Sequence, residues 1–322
     1  MAVLVFTEHW DGQFKKSTFE LVSYANKLAE MTDTQTVALS IGEVDEDNLR
    51  QLADYGADKI VSVKKESLKY LDNQVYTSVI QQVADKESAD ILVLAHNNTG
   101  KALAPRLSVR MKAALGSEVK AVPSSLDPFT INKKVFSGKA FSNVVLKTDK
   151  KILTLAQNSY GMYENTQEPV IENFDPEVGD DQVKTKVVDV EKHRDKLLLT
   201  DAELVVSGGR GMKSSENWDK LEELADELGA ALACSRPVSD EGWRPHEEHT
   251  GQTGKIIAPD LYIAAGISGA IQHIAGVSAA KYIVAINNDP DAPIFEVADY
   301  GIVGDALKVL PELTKAFRQA RS

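Results

Sequence analysis

The chain has 322 residues, beyond the length at which a single hydrophobic core stops growing, so two domains are expected. Hydrophobic residues at 43% and charged residues at 26% exclude wholesale disorder, collagen and coiled coil. Lys and Arg number 36 against 48 Asp and Glu, and this acidic balance of -12 leaves no basic surface for a phosphate backbone, which excludes nucleic acid as a partner.

The single cysteine, Cys234, can form neither an internal disulfide nor a structural zinc site, so a reducing compartment and no metal are expected. Met1 leads straight into Ala2-Val3-Leu4-Val5-Phe6 with no basic stretch before it, which points to the cytoplasm. Residues 261–280 lack Asp, Glu, Lys and Arg over about the length of a membrane helix. Gly266, Ser268, Gly269, Gln272, His273 and Gly276 interrupt that stretch. A buried strand, a turn and a short helix are expected there, with no membrane insertion.

Short apolar runs alternate with helical patterns through the first part of the chain. Residues 3–6, 37–41, 60–63 and 91–95 read as strands bounded by polar or turn residues. Between them, Phe19-Val22-Ala25-Leu28, Leu49-Leu52-Ala53 and Val75-Val79-Val83 put apolar side chains on one helical face. This βαβ alternation predicts a parallel sheet covered by helices on both faces. The polar turn His96-Asn97-Asn98-Thr99-Gly100-Lys101 is open to two readings, a ligand loop at a strand's C-terminal end or a βα loop capped by Asn or Thr.

From Glu118 to Gln157 the pattern changes to period two, with residues 130–133 and 144–147 around the turn residues Ser137-Gly138, which predicts appended antiparallel strands. Residues 164–196 are polar and contain Glu168-Pro169, Asp175-Pro176 and Gly179-Asp180-Asp181. The domain boundary is therefore placed near 190–200, giving an N-terminal α/β domain over 1–195 and a C-terminal domain over 196–322.

The second part opens with a strand over residues 202–206, followed by Ser207-Gly208-Gly209-Arg210-Gly211. A helix follows from about Glu216, with Trp218, Leu221, Leu224, Ala225 and Leu228 on one face and Gly229 as its cap. A glycine turn between strand and helix lets backbone amides approach an anion, although this spacing matches neither the dinucleotide fingerprint nor the P-loop. Similar turns recur at Gly251-Gln252-Thr253-Gly254-Lys255, Ile267-Ser268-Gly269-Ala270-Ile271-Gln272-His273, Asn287-Asn288-Asp289-Pro290 and Ala298-Asp299-Tyr300-Gly301 through Asp305. Turns at successive strand ends line one sheet edge, and that edge is of dinucleotide size.

The run Leu261-Tyr262-Ile263-Ala264-Ala265-Gly266-Ile267-Ser268-Gly269-Ala270-Ile271-Gln272-His273, with Ile283-Val284-Ala285-Ile286-Asn287 after it, resembles the signature of the electron transfer flavoprotein alpha subunit. The resemblance extends through Gly208-Gly209-Arg210-Gly211, Ser235-Arg236-Pro237, Ala292-Pro293-Ile294-Phe295 and Ala298-Asp299-Tyr300-Gly301, so it covers the C-terminal domain. It reaches the N-terminal part more loosely, through Thr99-Gly100-Lys101-Ala102-Leu103-Ala104-Pro105-Arg106. It implies an α/β protein with an N-terminal parallel-sheet, nucleotide-binding-like domain and a C-terminal doubly wound FAD-binding domain.

The resemblance also implies roles. Arg210, Ser268 and Asn287, with Asp305 at the ADP end, would hold the phosphates, ribityl chain and adenosine. Arg236, Gln252, Thr253 and His273 would surround the isoalloxazine, where a guanidinium and an imidazole stabilise negative charge on reduced flavin. Ser235, Thr250, Gly251, Gly269, Ala270, Ile271 and Gln272 complete the candidate cofactor site from the same loops. Each has an ordinary structural alternative: His273 as a core histidine, Arg236 as a turn residue, Thr253 and Ser268 as caps, Asp305 as the cap of the last helix. Thr250 stands where an aliphatic residue is common, Asn288 where Lys is common, and Glu247-Glu248-His249 makes the preceding loop acidic and polar.

Such a protein converts no substrate by itself. It resembles carriers that pair with a beta subunit holding AMP, take electrons from acyl-CoA and related dehydrogenases, and pass them to a membrane quinone oxidoreductase, a role in fatty acid β-oxidation. A flavin-bifurcating alpha subunit is the alternative. A nicotinamide-dependent dehydrogenase lacks its glycine fingerprint here, and a non-redox nucleotide-binding regulator leaves Arg236, Thr253 and His273 without a task.

Overall fold

The computed structural model describes residues 1–136, 140–179, 185, 187–190 and 198–321, which fall into two compact units, Met1–Glu191 and Lys192–Ser322. The turn expected at Ser137-Gly138 and most of the expected boundary lie outside the described residues.

In the first unit the strands and helices run β1 (Ala2–Thr7), β2 (His9–Trp10), β3 (Gln13–Phe14), α1 (Lys16–Thr32), β4 (Gln35–Ile41), α2 (Glu46–Arg50), β5 (Lys59–Val63), α3 (Asn73–Lys86), β6 (Ala89–Ala95) and α4 (Asn98–Met111). Next come β7 (Ala114–Val119), β8 (Ser125–Leu126), β9 (Phe129–Val135), β10 (Ala140–Val145), β11 (Lys151–Leu155) and β12 (Val170–Asn173). The main sheet is parallel, in the order β12-β5-β4-β1-β6-β11-β7. All six residues of β1 are buried, because α3 and α4 cover one face of the sheet and α1 the other.

The period-two stretch meets the expectation in part. Within it β8, β9 and β10 pair antiparallel, as expected for residues 130–133 and 144–145, but they form a three-stranded sheet of their own, whereas β11, from the same stretch, is a parallel member of the main sheet. Burial decides this. Ile152, Leu153, Thr154 and Leu155 are all buried, as a strand covered on both faces requires, while β10 alternates half-buried and exposed residues.

The second unit runs β13 (Leu204–Gly208), α5 (Asp219–Leu228), β14 (Ala231–Cys234), α6 (Arg236–Asp240), β15 (Leu261–Ala265), α7 (Ile271–Val277), β16 (Tyr282–Asn287), β17 (Tyr300–Val303) and α8 (Ala306–Arg321). Leu221, Leu224, Ala225 and Leu228 give α5 its buried stripe, each large side chain adding about 1.5–3 kcal/mol of transfer free energy, and Gly229 ends the helix at φ 67°. One face of the sheet packs on α5, α6 and α8, and the other packs Tyr262, Ala264 and Ile283 against Val277, Ile294 and Leu199. The unit is thus doubly wound, with parallel strand order β14-β13-β15-β16-β17. The chain reverses its direction of travel across the sheet between β13 and β15, and open α/β sheets bind ligands at such a switch point, beyond the carboxyl ends of the strands.

Candidate functional site

A cavity of about 470 Å³ opens at that switch point, within the range of small-molecule sites. Its wall is built from Arg210 and Gly211 after β13, Ser235, Arg236 and Pro237 after β14, and the loop from His249 to Thr253. Gly266, Ile267, Ser268, Gly269, Ala270, Gln272 and His273 after β15 and Asn287 at the end of β16 complete it.

Glycine makes this wall possible at two places. The loops after β13 and β15 touch backbone to backbone: Gly211 N–H donates to the Gly266 carbonyl at 2.9 Å, and a side-chain carbon on Gly211 would fall 2.6 Å from the Gly266 Cα. Gly269 adopts φ 86°, and a side-chain carbon there would stand 2.3 Å from the Ile294 nitrogen. Gly211, Gly266 and Gly269 thus let backbone approach backbone along the cavity wall.

The loop carrying Gln252 and Thr253 is tied on both sides. Thr250 is fully buried and its N–H donates to the Cys234 carbonyl at 3.0 Å, while Gln252 N–H donates to the Gln272 carbonyl at 2.7 Å. Behind it, His273 is 7% exposed and its Nε2 lies 2.8 Å from the Tyr262 hydroxyl. Burial, against a smaller opposing effect of the Thr250 backbone, lowers the His273 pKa to about 4, so at neutral pH it is an uncharged imidazole. The cations of the wall are Arg210, exposed and in no ion pair among the described residues, and Arg236, whose Nε reaches Asp240 at 3.3 Å with 62% of its side chain exposed.

Arg210, Ser235, Arg236, Thr250, Gly251, Gln252, Thr253, Ser268, Gly269, Ala270, Gln272, His273 and Asn287 thus come together on one wall. Two expected residues do not. Ile271 is 70% exposed and off the cavity. Asp305 lies off it too: its Oδ2 pairs with Lys213 at 2.9 Å and its Oδ1 accepts from Leu307 N–H at the start of α8, contacts that lower its pKa. Asn287 is on the wall with its amide committed, Nδ2 donating to the Ile267 carbonyl at 2.9 Å and Oδ1 accepting from Asp289 N–H, so it fixes the Ile267-Ser268 turn. Gly211, Pro237, His249, Gly266 and Ile267 are wall residues outside the expected set. All five lie within two positions of an expected one, and His249 precedes Thr250 directly.

In the first unit, the polar turn at 96–101 is internally satisfied. Asn97 caps α4 by accepting from Gly100 N–H at 2.9 Å and donates to Glu8, and His96 Nδ1 meets Thr154 Oγ1 at 2.8 Å. This favours the capping reading. Among the described residues no group of three or more His, Cys, Asp or Glu gathers to hold a metal, and no helix is long and apolar enough to cross a membrane.

A glycine-walled cleft, two arginine guanidiniums and a ring of hydroxyl and amide groups suit a large anionic nucleotide carrying a planar ring. Side-chain carbons on Gly211 or Gly269 would collide with the neighbouring backbone that shapes this cleft. The fold and cavity define a doubly wound dinucleotide-binding protein, and comparison with known proteins makes the class specific. Residues 198–278 match the electron transfer flavoprotein FAD-binding domain and residues 3–191 the electron transfer flavoprotein domain. The chain is 38% identical over 98% of its length to the electron transfer flavoprotein subunit alpha of Bacillus subtilis, covering 97% of that protein, and 33% identical over 99% to that of Clostridium acetobutylicum, covering 98%. It is 32% identical, over 97% of its length and 75% of the relative's, to a lactate dehydrogenase (NAD(+),ferredoxin) subunit LctC of Acetobacterium woodii.

The chain belongs to the electron transfer flavoprotein alpha-subunit family, and its cofactor is FAD. Membership implies a beta-subunit partner.

Proposed function

We propose that this chain is the alpha subunit of a cytoplasmic, heterodimeric electron carrier. In this reading residues 196–322 hold FAD, and the complex accepts electrons from acyl-CoA and related dehydrogenases in fatty acid β-oxidation and delivers them to a membrane quinone oxidoreductase. The observation that carries the reading is the switch-point cavity, whose wall combines glycine backbone with Arg210 and Arg236. Arg210 and Ser268 hold the phosphates and ribityl chain, Asn287 fixes the turn that presents Ser268, and Arg236, Gln252, Thr253 and His273 meet the ring. Bound FAD supplies uptake and release of electrons one or two at a time. Around it the chain's own groups set the charge: Arg236 offers a fixed cation, and His273, uncharged, offers a hydrogen bond without adding repulsion to it.

The test is reduction of the purified alpha–beta complex by an acyl-CoA in the presence of a catalytic amount of acyl-CoA dehydrogenase, followed as bleaching of the flavin band. Stoichiometric bleaching supports the carrier, and an unchanged spectrum overturns the donor assignment. A second reading, the alpha subunit of a flavin-bifurcating complex, draws support from the relative whose name couples NAD(+) and ferredoxin. Two FAD per complex would favour it, and one FAD with one AMP would favour the ordinary carrier.

A further inference from the structure

The resemblance leaves His249 without a task, yet this side chain is built into the cavity wall. It is 2% exposed, with its ring beside Gly251 and Gly254: a side-chain carbon on Gly254 would meet Nδ1 at 2.7 Å, and one on Gly251 would meet Nε2 at 3.4 Å. Nδ1 is buried with no hydrogen-bond partner among the described residues. A buried polar atom left unpaired is costly to the fold, so its presence here calls for a role.

The backbone fixes the ring's position. Lys255 N–H donates to the His249 carbonyl at 2.8 Å, and His249 N–H donates to the His246 carbonyl at 3.1 Å. The preceding residue, Glu248, is held by both ends of its carboxylate, from Arg244 Nε at 2.7 Å and Nη2 at 2.9 Å, while Arg244 Nη1 reaches Glu222 at 2.7 Å. This partly buried clamp anchors the loop at its root, so His249 is presented rigidly.

Charged and titratable groups face the imidazole from several elements. Arg236 and Asp240 come from α6, His273 from α7, and His246 from its own loop, the exposed His246 ring standing 5.4 Å away by centroids. Burial first, then His246 and Arg236, hold His249 below its ordinary pKa, with Asp240 opposing. Before an electron arrives, His249 is therefore neutral near pH 7.

We propose that His249 is the proton-accepting residue that balances charge when the flavin in this cavity is reduced, an inference resting on the reading that FAD occupies the cavity. One electron passes from an external reductant to the flavin, and one proton passes from water to a ring nitrogen of His249. No bond of the cofactor breaks, and the net charge of the cavity is unchanged. The driving force is the field of the added negative charge, which favours the imidazolium in a medium of low effective dielectric.

Two measurements on the FAD-loaded alpha–beta complex test this. The first is the equilibrium of the first one-electron reduction by dithionite, followed against a reference dye between pH 6.5 and 8, in the parent and in His249→Gln. In the parent the equilibrium should fall tenfold per pH unit for the proton taken by His249, and the variant should lose that tenfold dependence while still binding FAD. The second needs no variant at position 249: imidazole NMR of the histidine-labelled parent, fully oxidised and fully reduced, should show the His249 titration midpoint shifted upward on reduction. Equal pH slopes in parent and variant, or a His249 midpoint unmoved by reduction, would overturn the proposal. Should His249→Gln not fold, the NMR midpoint alone decides. A parent complex that binds no FAD overturns the cavity reading as well, and that outcome is visible at once as a colourless protein.

Discussion

The Tyr262 hydroxyl lies 2.8 Å from His273 Nε2, at a point where the tyrosine has no exposed surface and the histidine has 7%. Burial pushes the tyrosine well above its ordinary pKa and the histidine down to about 4, so the pair is neutral on both sides at pH 7. A free imidazole titrates near 6.5. As pH falls from about 6.5 to about 4, the unfolded chain binds a proton that the folded chain refuses, so stability present above 6.5 is lost over that window, by about 3 kcal/mol for this one group. His9, His96 and His249, also lowered chiefly by burial, act in the same direction. Urea midpoints between pH 4.5 and 7.5 should therefore fall with acid, and less steeply in His273→Gln. An identical slope in the variant would contradict the neutral pair.

Two glycine substitutions separate backbone strain from the site. Gly229 has φ 67° and open space where a side-chain carbon would go, so Gly229→Ala meets only the left-handed conformation, costs about 1–2 kcal/mol and leaves FAD binding intact. Gly269→Ala adds a contact 2.3 Å from the Ile294 nitrogen and displaces a turn whose Ser268 carbonyl accepts from Ile294 N–H at 3.0 Å. It should lower Tm further than Gly229→Ala and release FAD. Flavin absorbance retained through gel filtration, read beside Tm, distinguishes the two.

The Arg244–Glu248 clamp predicts a non-additive pair. Arg244→Met takes the guanidinium away from the carboxylate of Glu248, a residue only 7% exposed, and should cost about 3–5 kcal/mol. Arg244→Met combined with Glu248→Leu removes both charges and should recover much of that loss, because an apolar pair carries no desolvation penalty. Denaturant midpoints of the two singles and the double give the coupling. A double variant as unstable as the sum of the singles would show that the clamp is not a unit.

Much of this was legible in the sequence because the period and the turn chemistry agree. The buried runs of β1, β4, β5 and β6 stand out as uninterrupted apolar stretches, and the stripe of α5 with Gly229 behind it specifies a helix and its end. The loops around Gly251 and Ser268 announced themselves through spacing. Three features did not. Residues 151–155 sit among period-two strands, and their place in the parallel sheet depends on a return connection that local pattern does not encode. Asp305 reads equally well as cofactor ligand or helix cap, and its pairing with Lys213, 92 residues away in the chain, is not encoded in its own segment. His249 looked like part of a polar loop because its burial depends on Gly251 and Gly254, which leave the ring room, and on the clamp at Arg244.

That FAD occupies the switch-point cavity is tested most directly by its dissociation constant from the alpha–beta complex, measured by flavin fluorescence for the parent, Arg210→Ala and Ser268→Ala, with Gly229→Ala as the control. Loss of one charge-assisted contact costs about 1.5–3 kcal/mol, so Arg210→Ala should bind roughly tenfold to a hundredfold more weakly, Ser268→Ala also more weakly, and the control like the parent. Dissociation constants for Arg210→Ala and Ser268→Ala equal to the parent's would contradict the assignment of this cavity to FAD.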